Sequence, residues 1–221
     1  MINYLYLDIE TIPTQDIATQ DEIANTITPP GSMKKAETIE KWERERKPQD
    51  VKEAIAKTSF SGALGHVCCV SWALNDQDPK YYDMRKIEDE KPLPEASFFN
   101  PAALDAPHTV VGHYVNEFDI RFLWQRAMVL GVQVNAALPR DPKPWSDEVN
   151  DTMVMWAGTR NTISLDDLCK ALGVPGKQDI TGADVAEMWA DGQHDAIALY
   201  CMDDVKRVRA VHQKMLISIG G

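Results

Sequence analysis

The sequence predicts one α/β domain. Three observations lead there: short β-rich apolar runs bounded by turn residues, segments of helical period placed between and after them, and no internal repeat, low-complexity tract or convincing linker in 221 residues. The length suits one domain with a sizeable core, and 44% hydrophobic against 26% charged residues is the balance of a soluble globular chain.

Residues 3–10 alternate aromatic, aliphatic and acidic groups without helical period, which predicts a largely buried strand ending in carboxylates. A polar stretch with Pro29, Pro30 and Gly31 follows, then a charged, helical-looking segment over 34–57; residues 14–57 together read as a charged helical excursion from the domain. Residues 66–74 and 80–84 predict a hairpin beside the first strand, with turn chemistry at 75–79. Residues 109–112 predict a further strand. Ile120, Leu123, Ala127 and Leu130 recur at helical spacing up to the stop signal Gly131, which places Asp119 in the first turn of that helix. Residues 149–155 read either as a strand or as a helix start. Ser164 is the expected N-cap of a helix over 165–172 closed by Gly173, and helices follow over 184–190 and 194–216. In the last of these, Leu199, Met202, Val205, Val208 and His212 fall near one stripe.

Several classes of function are excluded. The longest apolar runs are far below the roughly 20 residues that span a bilayer, and the N-terminus has neither basic flank nor cleavage pattern, so no membrane association is expected. Cys68, Cys69, Cys169 and Cys201 lack metal-finger spacing and the five histidines are scattered, which disfavours structural zinc or a disulfide framework and fits a reducing cytoplasm. A net charge of −11 has the wrong sign for gripping a phosphate backbone by bulk charge, so any nucleic-acid contact must be local. Residues 34–57 hold eight basic and six acidic residues. That net-positive stretch is either a solvated face or a phosphate-contacting cover over the site. The six tryptophans read as core or interface rather than as base-stacking platforms, although Trp42 lies in this exposed-looking segment.

The residues that carry chemistry are Asp8, Glu10, Asp119, Tyr200 and Asp204. Residues two apart on a strand share a face, so Asp8 and Glu10 present both carboxylates on one side. Residues four apart on a helix are neighbours, which brings Tyr200 and Asp204 together and turns Asp203 away. Asp119 has two readings, a metal ligand or a charge favourable at a helix N-terminus. Four gathered carboxylates repel, by about 4 kcal/mol per pair at 4 Å and an effective dielectric of 20. A cation belongs among them, and an all-oxygen donor set suits Mg2+ or Mn2+, two of which form the usual machinery for in-line attack on a phosphodiester.

With these motifs the sequence resembles the DEDDy family of 3′-to-5′ exonucleases, specifically stand-alone, phage-type relatives of the exonuclease domain of family B DNA polymerases. Asp8-Ile9-Glu10-Thr11 is similar to the first exonuclease motif, Gly112 through Phe118-Asp119 to the second, and Tyr200-Cys201-Met202-Asp203-Asp204 to the third. The connecting segments 57–63 and 164–169 are similar as well. The resemblance implies a ribonuclease H-like fold with a mixed central sheet flanked by helices. It implies that Asp8 bridges two divalent ions, Glu10 and Asp204 hold the ion that activates water, Asp119 supports the second ion, and Tyr200 orients the attacking water. Leu199 stands where the histidine subclass has its base, so the tyrosine subclass is preferred. Thr11 and Ile12 follow the first motif as substrate-binding candidates, Thr11 through its backbone. The second motif departs from the family: Tyr114 occupies the usual Asn position. Either Asn116 substitutes by a shifted backbone, or Tyr114 stacks on a base.

The expected activity is release of nucleoside 5′-monophosphates from a free 3′ end of single-stranded DNA, in replication or repair and with replication proteins acting in trans. The alternatives are an RNA exonuclease and a catalytically silent nucleic-acid-binding or replication-accessory protein.

Overall fold

Alternation along the first strand sets the layers of the molecule. A computed structural model describes residues 3–90, 108–134, 138–143, 146–176 and 180–219. Strand β1 (Asn3–Ile12) turns Leu5, Leu7 and Ile9 to one face and Tyr6, Asp8, Glu10 and Ile12 to the other. It pairs antiparallel with β2 (His66–Leu74), which pairs with β3 (Lys80–Asp83) as the expected hairpin. On its other edge β1 runs parallel to β4 (His108–Gly112), which is parallel to β5 (Val149–Asp151). The order β3-β2-β1-β4-β5 places β1 at the centre of a mixed five-stranded sheet, as expected for the α/β class.

Helices cover both faces. The excursion holds α1 (Ile17–Thr26), α2 (Ala36–Glu45) and α3 (Lys47–Ala56). Helix α1 falls inside the expected helical excursion; it buries no residue and starts where the Asp16 carboxylate accepts from the Thr19 amide. The Leu7 face meets α4 (Arg121–Leu130), whose end is set by Gly131 in the left-handed region at φ 66°. The region over 149–155 is both things expected of it, since β5 passes directly into α5 (Thr152–Ala157). Helix α6 (Leu165–Leu172) has the Ser164 cap, with α7 (Val185–Ala190) and the 26-residue α8 (His194–Ile219) following.

Helix α8 lies against the Tyr6 face through Ile197, Ala198, Cys201, Val205 and Val208. The expected stripe holds at Val205, Val208 and His212 and fails at Leu199, which is 64% exposed. Trp42, expected in an exposed segment, is buried at 6%. Trp145 lies outside the described residues.

Candidate active site

The site forms where β1 outruns its parallel neighbour. Pairing with β4 ends at Tyr6↔Val111, so the following stretch of β1 loses that partner. Gly112 permits the chain to turn there: a Cβ on it would lie 3.1 Å from the Leu7 carbonyl and 2.4 Å from Val115 Cβ. A single π-helical turn over Asn116–Ile120 then sets Asp119 against the vacated edge, where its Oδ1 accepts from the Ile9 amide at 3.0 Å. Asp119 thus stands just before α4 rather than inside its first turn. Its side chain satisfies strand backbone, which a dipole-favoured surface acid would not do.

Asp8 and Glu10 face α8, and each offers an oxygen within 4.8 Å of the other's and of the Cys201 sulfur. Cys201 donates to the Asp8 carbonyl at 3.4 Å and to Asp8 Oδ2 at 3.3 Å. Burial raises the Cys201 thiol well above its ordinary range, with Cys69 and the charges of Asp8 and Glu10 adding to it, so it stays a thiol and a donor. Tyr200 is pushed upward by burial and then by Glu10 and Asp8, which brings the phenol electrostatically onto the acidic pair and keeps it protonated. Asp204 is buried beside it and ion-paired to Arg207 Nη2. Asp203 also reaches Arg207, at 3.6 Å from Nε.

Burial raises the Asp119 carboxyl to about 8, with the charge of Asp151 also raising it. Asp8 and Glu10 offer the oxygen donors that a hard metal ion takes, while Asp119 and Asp204 are not part of the 4.8 Å group these two form with Cys201.

Asp151 was not apparent in the sequence as part of this region. It caps α5 and accepts from the Tyr114 amide at 2.9 Å and the Asn116 amide at 3.3 Å, holding Tyr114 in the left-handed region at φ 60°. Tyr114 and Asn116 line one cavity of about 620 Å³ together with Lys143, Asp151 and Arg160. Thr11 donates its hydroxyl to the Ser59 carbonyl at 2.8 Å, and Ile12 as a whole is only 1% exposed, so it presents almost no surface to a ligand. Sequence spacing identified the acids on β1 and α8. The roles of Asp151 and Cys201, and the anchoring of Arg207 to Asp166, depend on partners far away in the chain and carried no such signal, whereas the pairing of Arg207 with Asp203 and Asp204 follows helical spacing.

A mixed sheet with carboxylates gathered at the end of its central strand is the ribonuclease H-like class of fold. The chain belongs to the family described as predicted 3′-5′ exonucleases related to the exonuclease domain of PolB, matched over residues 63–218. Among solved structures it is similar to the family B DNA polymerase from the hyperthermophilic archaeon Pyrobaculum calidifontis, at 17% identity and a TM-score of 0.58. That likeness covers 98% of this chain and 25% of the polymerase chain, and shows the shared fold. No curated protein matches the chain. By this membership the chain is a predicted 3′-5′ exonuclease, and among the described residues no helix is long and apolar enough to cross a membrane.

Proposed function

We propose that the protein hydrolyses single-stranded DNA from its 3′ end, releasing nucleoside 5′-monophosphates, with divalent cations held at the end of β1. The observation that carries this reading is the convergence of Asp8 and Glu10 within 4.8 Å, with Asp119 fixed on the intervening Ile9 amide. Asp8, Glu10, Asp119 and Asp204 would hold Mg2+ or Mn2+, which when bound lowers the pKa of water and offsets charge on a phosphodiester in transit. The protonated Tyr200 donates a hydrogen bond and so orients water or a phosphate oxygen; it is not the base. Tyr114 and Asn116 receive the terminal nucleotides in their shared cavity, where Lys143 and Arg160 supply local positive charge on a chain of net −11. Half-buried Thr11 contributes through its backbone to the same end. The domain extends over residues 1–221, with the α1–α3 excursion as an appendage rather than a separate unit.

The test is digestion of 5′-labelled and 3′-labelled single-stranded DNA with Mg2+, Mn2+ or EDTA. Stepwise shortening from the 3′ end, mononucleotide 5′-phosphate products, and loss of activity in EDTA and in Asp8→Asn are expected. Folded protein that releases no nucleotide, or activity unaffected by Asp8→Asn, overturns the reading. A matched RNA oligonucleotide in the same assay decides the sugar preference.

A further inference from the structure

Arg207 lies one helical turn beyond Asp204 on α8 and is 5% exposed. Its fork is divided between two places. Nη2 holds the Asp204 carboxylate, while Nη1 is anchored to Asp166 Oδ1 at 2.7 Å, with Asp203 Oδ2 at 3.6 Å from Nε. Asp166 stands in the first turn of α6, two residues after the Ser164 cap, so the anchor belongs to a different element from the acids of the site. The guanidinium charge reaches Tyr200 as well, whose phenol it acts to lower against the raising effect of Glu10 and Asp8. The Asp204 carboxylate is therefore already held by a cationic side chain that a divalent cation would have to displace.

We propose that Arg207 is a positioning residue that holds Asp204 in the metal-free protein and competes with a divalent cation for it, Asp166 being the anchor onto which Arg207 falls back when Asp204 turns to the cation. This rests on the reading of Asp204 as a metal ligand. The two ends of the fork make the exchange feasible: losing the Nη2 contact leaves the Nη1 bond to Asp166 in place, so the buried guanidinium is never left unpaired.

The experiment is titration of metal-free full-length protein with Mn2+ alone, followed by calorimetry, with thermal melting of the same metal-free samples. Arg207→Gln removes the competitor: Mn2+ is expected to bind about five- to fiftyfold more tightly, while the metal-free protein melts at a lower temperature because Asp204 is left beside the other acids. Asp166→Asn removes the fallback and is expected to weaken Mn2+ binding severalfold, and the double variant should bind as Arg207→Gln does. A merely structural arginine would not shift the dissociation constant in opposite directions in these two variants. Folded Arg207→Gln with unchanged or weaker binding overturns the proposal, and so does unchanged binding in Asp166→Asn, which decides alone if Arg207→Gln does not fold. A wild-type site that Asp8→Asn abolishes but Arg207→Gln leaves unaltered refutes only this proposal. If wild-type protein shows no Mn2+ site that Asp8→Asn removes, the metal reading and the proposal fall together.

Discussion

Each acid at the end of β1 is held by a different kind of partner, and that difference predicts how substitutions behave. Asp119 is tied to backbone at Ile9, Asp8 receives the Cys201 thiol, and Asp204 is bound by Arg207. Tyr200 is the exception, a neutral donor among charges. Tyr200→Phe keeps the ring in its packing and removes only the hydroxyl, so kcat should fall about a hundredfold with KM and Mn2+ affinity nearly unchanged. Steady-state kinetics on a labelled oligonucleotide check this, and an unchanged kcat would remove Tyr200 from the reaction. Asp8 and Glu10 were legible because period-two alternation fixes a shared face from local sequence alone. Asp151 was not, because its task is to hold the backbone at Tyr114 and Asn116, and a cap gives no sign in sequence of which distant loop it also serves. Cys201 sits beside Tyr200 in the third motif, yet its placement against Asp8 needs the rotation of α8 on the sheet.

Elements bounded by a cap or a turn were readable to within a residue or two, as with β2, α4 and α6. What failed was anything set by tertiary contact. The buried face of α8 is turned away from Leu199 because Cys201 and Ile197 pack onto β1 and β2, and apolar residues occur on several sides of that helix. The basic excursion resolves in part: Arg44 and Arg46 are paired with Glu45 and Asp50 on the helix surfaces, which weakens them as phosphate contacts. Lys57 is exposed in the short 3-10 turn Lys57–Phe60, and Ser59 of that turn is bound by Thr11, so this cation is tethered beside the end of β1. Lys57→Ala should raise KM a few-fold and reduce the slope of log affinity on log salt by about 1; an unaltered slope returns the segment to a solvated face. A second prediction concerns the seam of α8 with the sheet, where fully buried His212 bonds Tyr6 and Asn150. Burial lowers its pKa from 6.5 to about 4. The unfolded chain therefore takes up a proton that the native protein resists, so the stability tied to neutral His212 is complete above about pH 6.5 and is lost as pH falls toward 4. Allowing for screening, the loss is about 2 kcal/mol, and urea melts of wild type and His212→Gln should converge over that window. Parallel pH dependence in the two proteins would contradict the assignment.

The whole molecule carries −11, and its central strand ends in further negative charge. Holding Asp8 and Glu10 together disfavours the metal-free fold, while Arg207 offsets the charge of Asp204 and burial keeps the Asp119 carboxyl largely neutral. A cation that binds only the native arrangement reverses this by linkage, supplying about 2.7 kcal/mol at a hundredfold excess over its dissociation constant. In a chain of this size each kcal/mol is worth about 2–4 °C, so saturating Mn2+ should raise the melting temperature by roughly 5–11 °C. Divalent ions also screen a strongly negative surface, and that contribution does not depend on the site. Asp8→Asn separates the two: it keeps the size of the side chain and nearly all of the surface charge but removes a central ligand, so its shift should shrink to that produced by monovalent salt of matched ionic strength. Equal shifts in wild type and Asp8→Asn would mean diffuse screening, and the acids at the end of β1 would then be a charge cluster rather than a metal site.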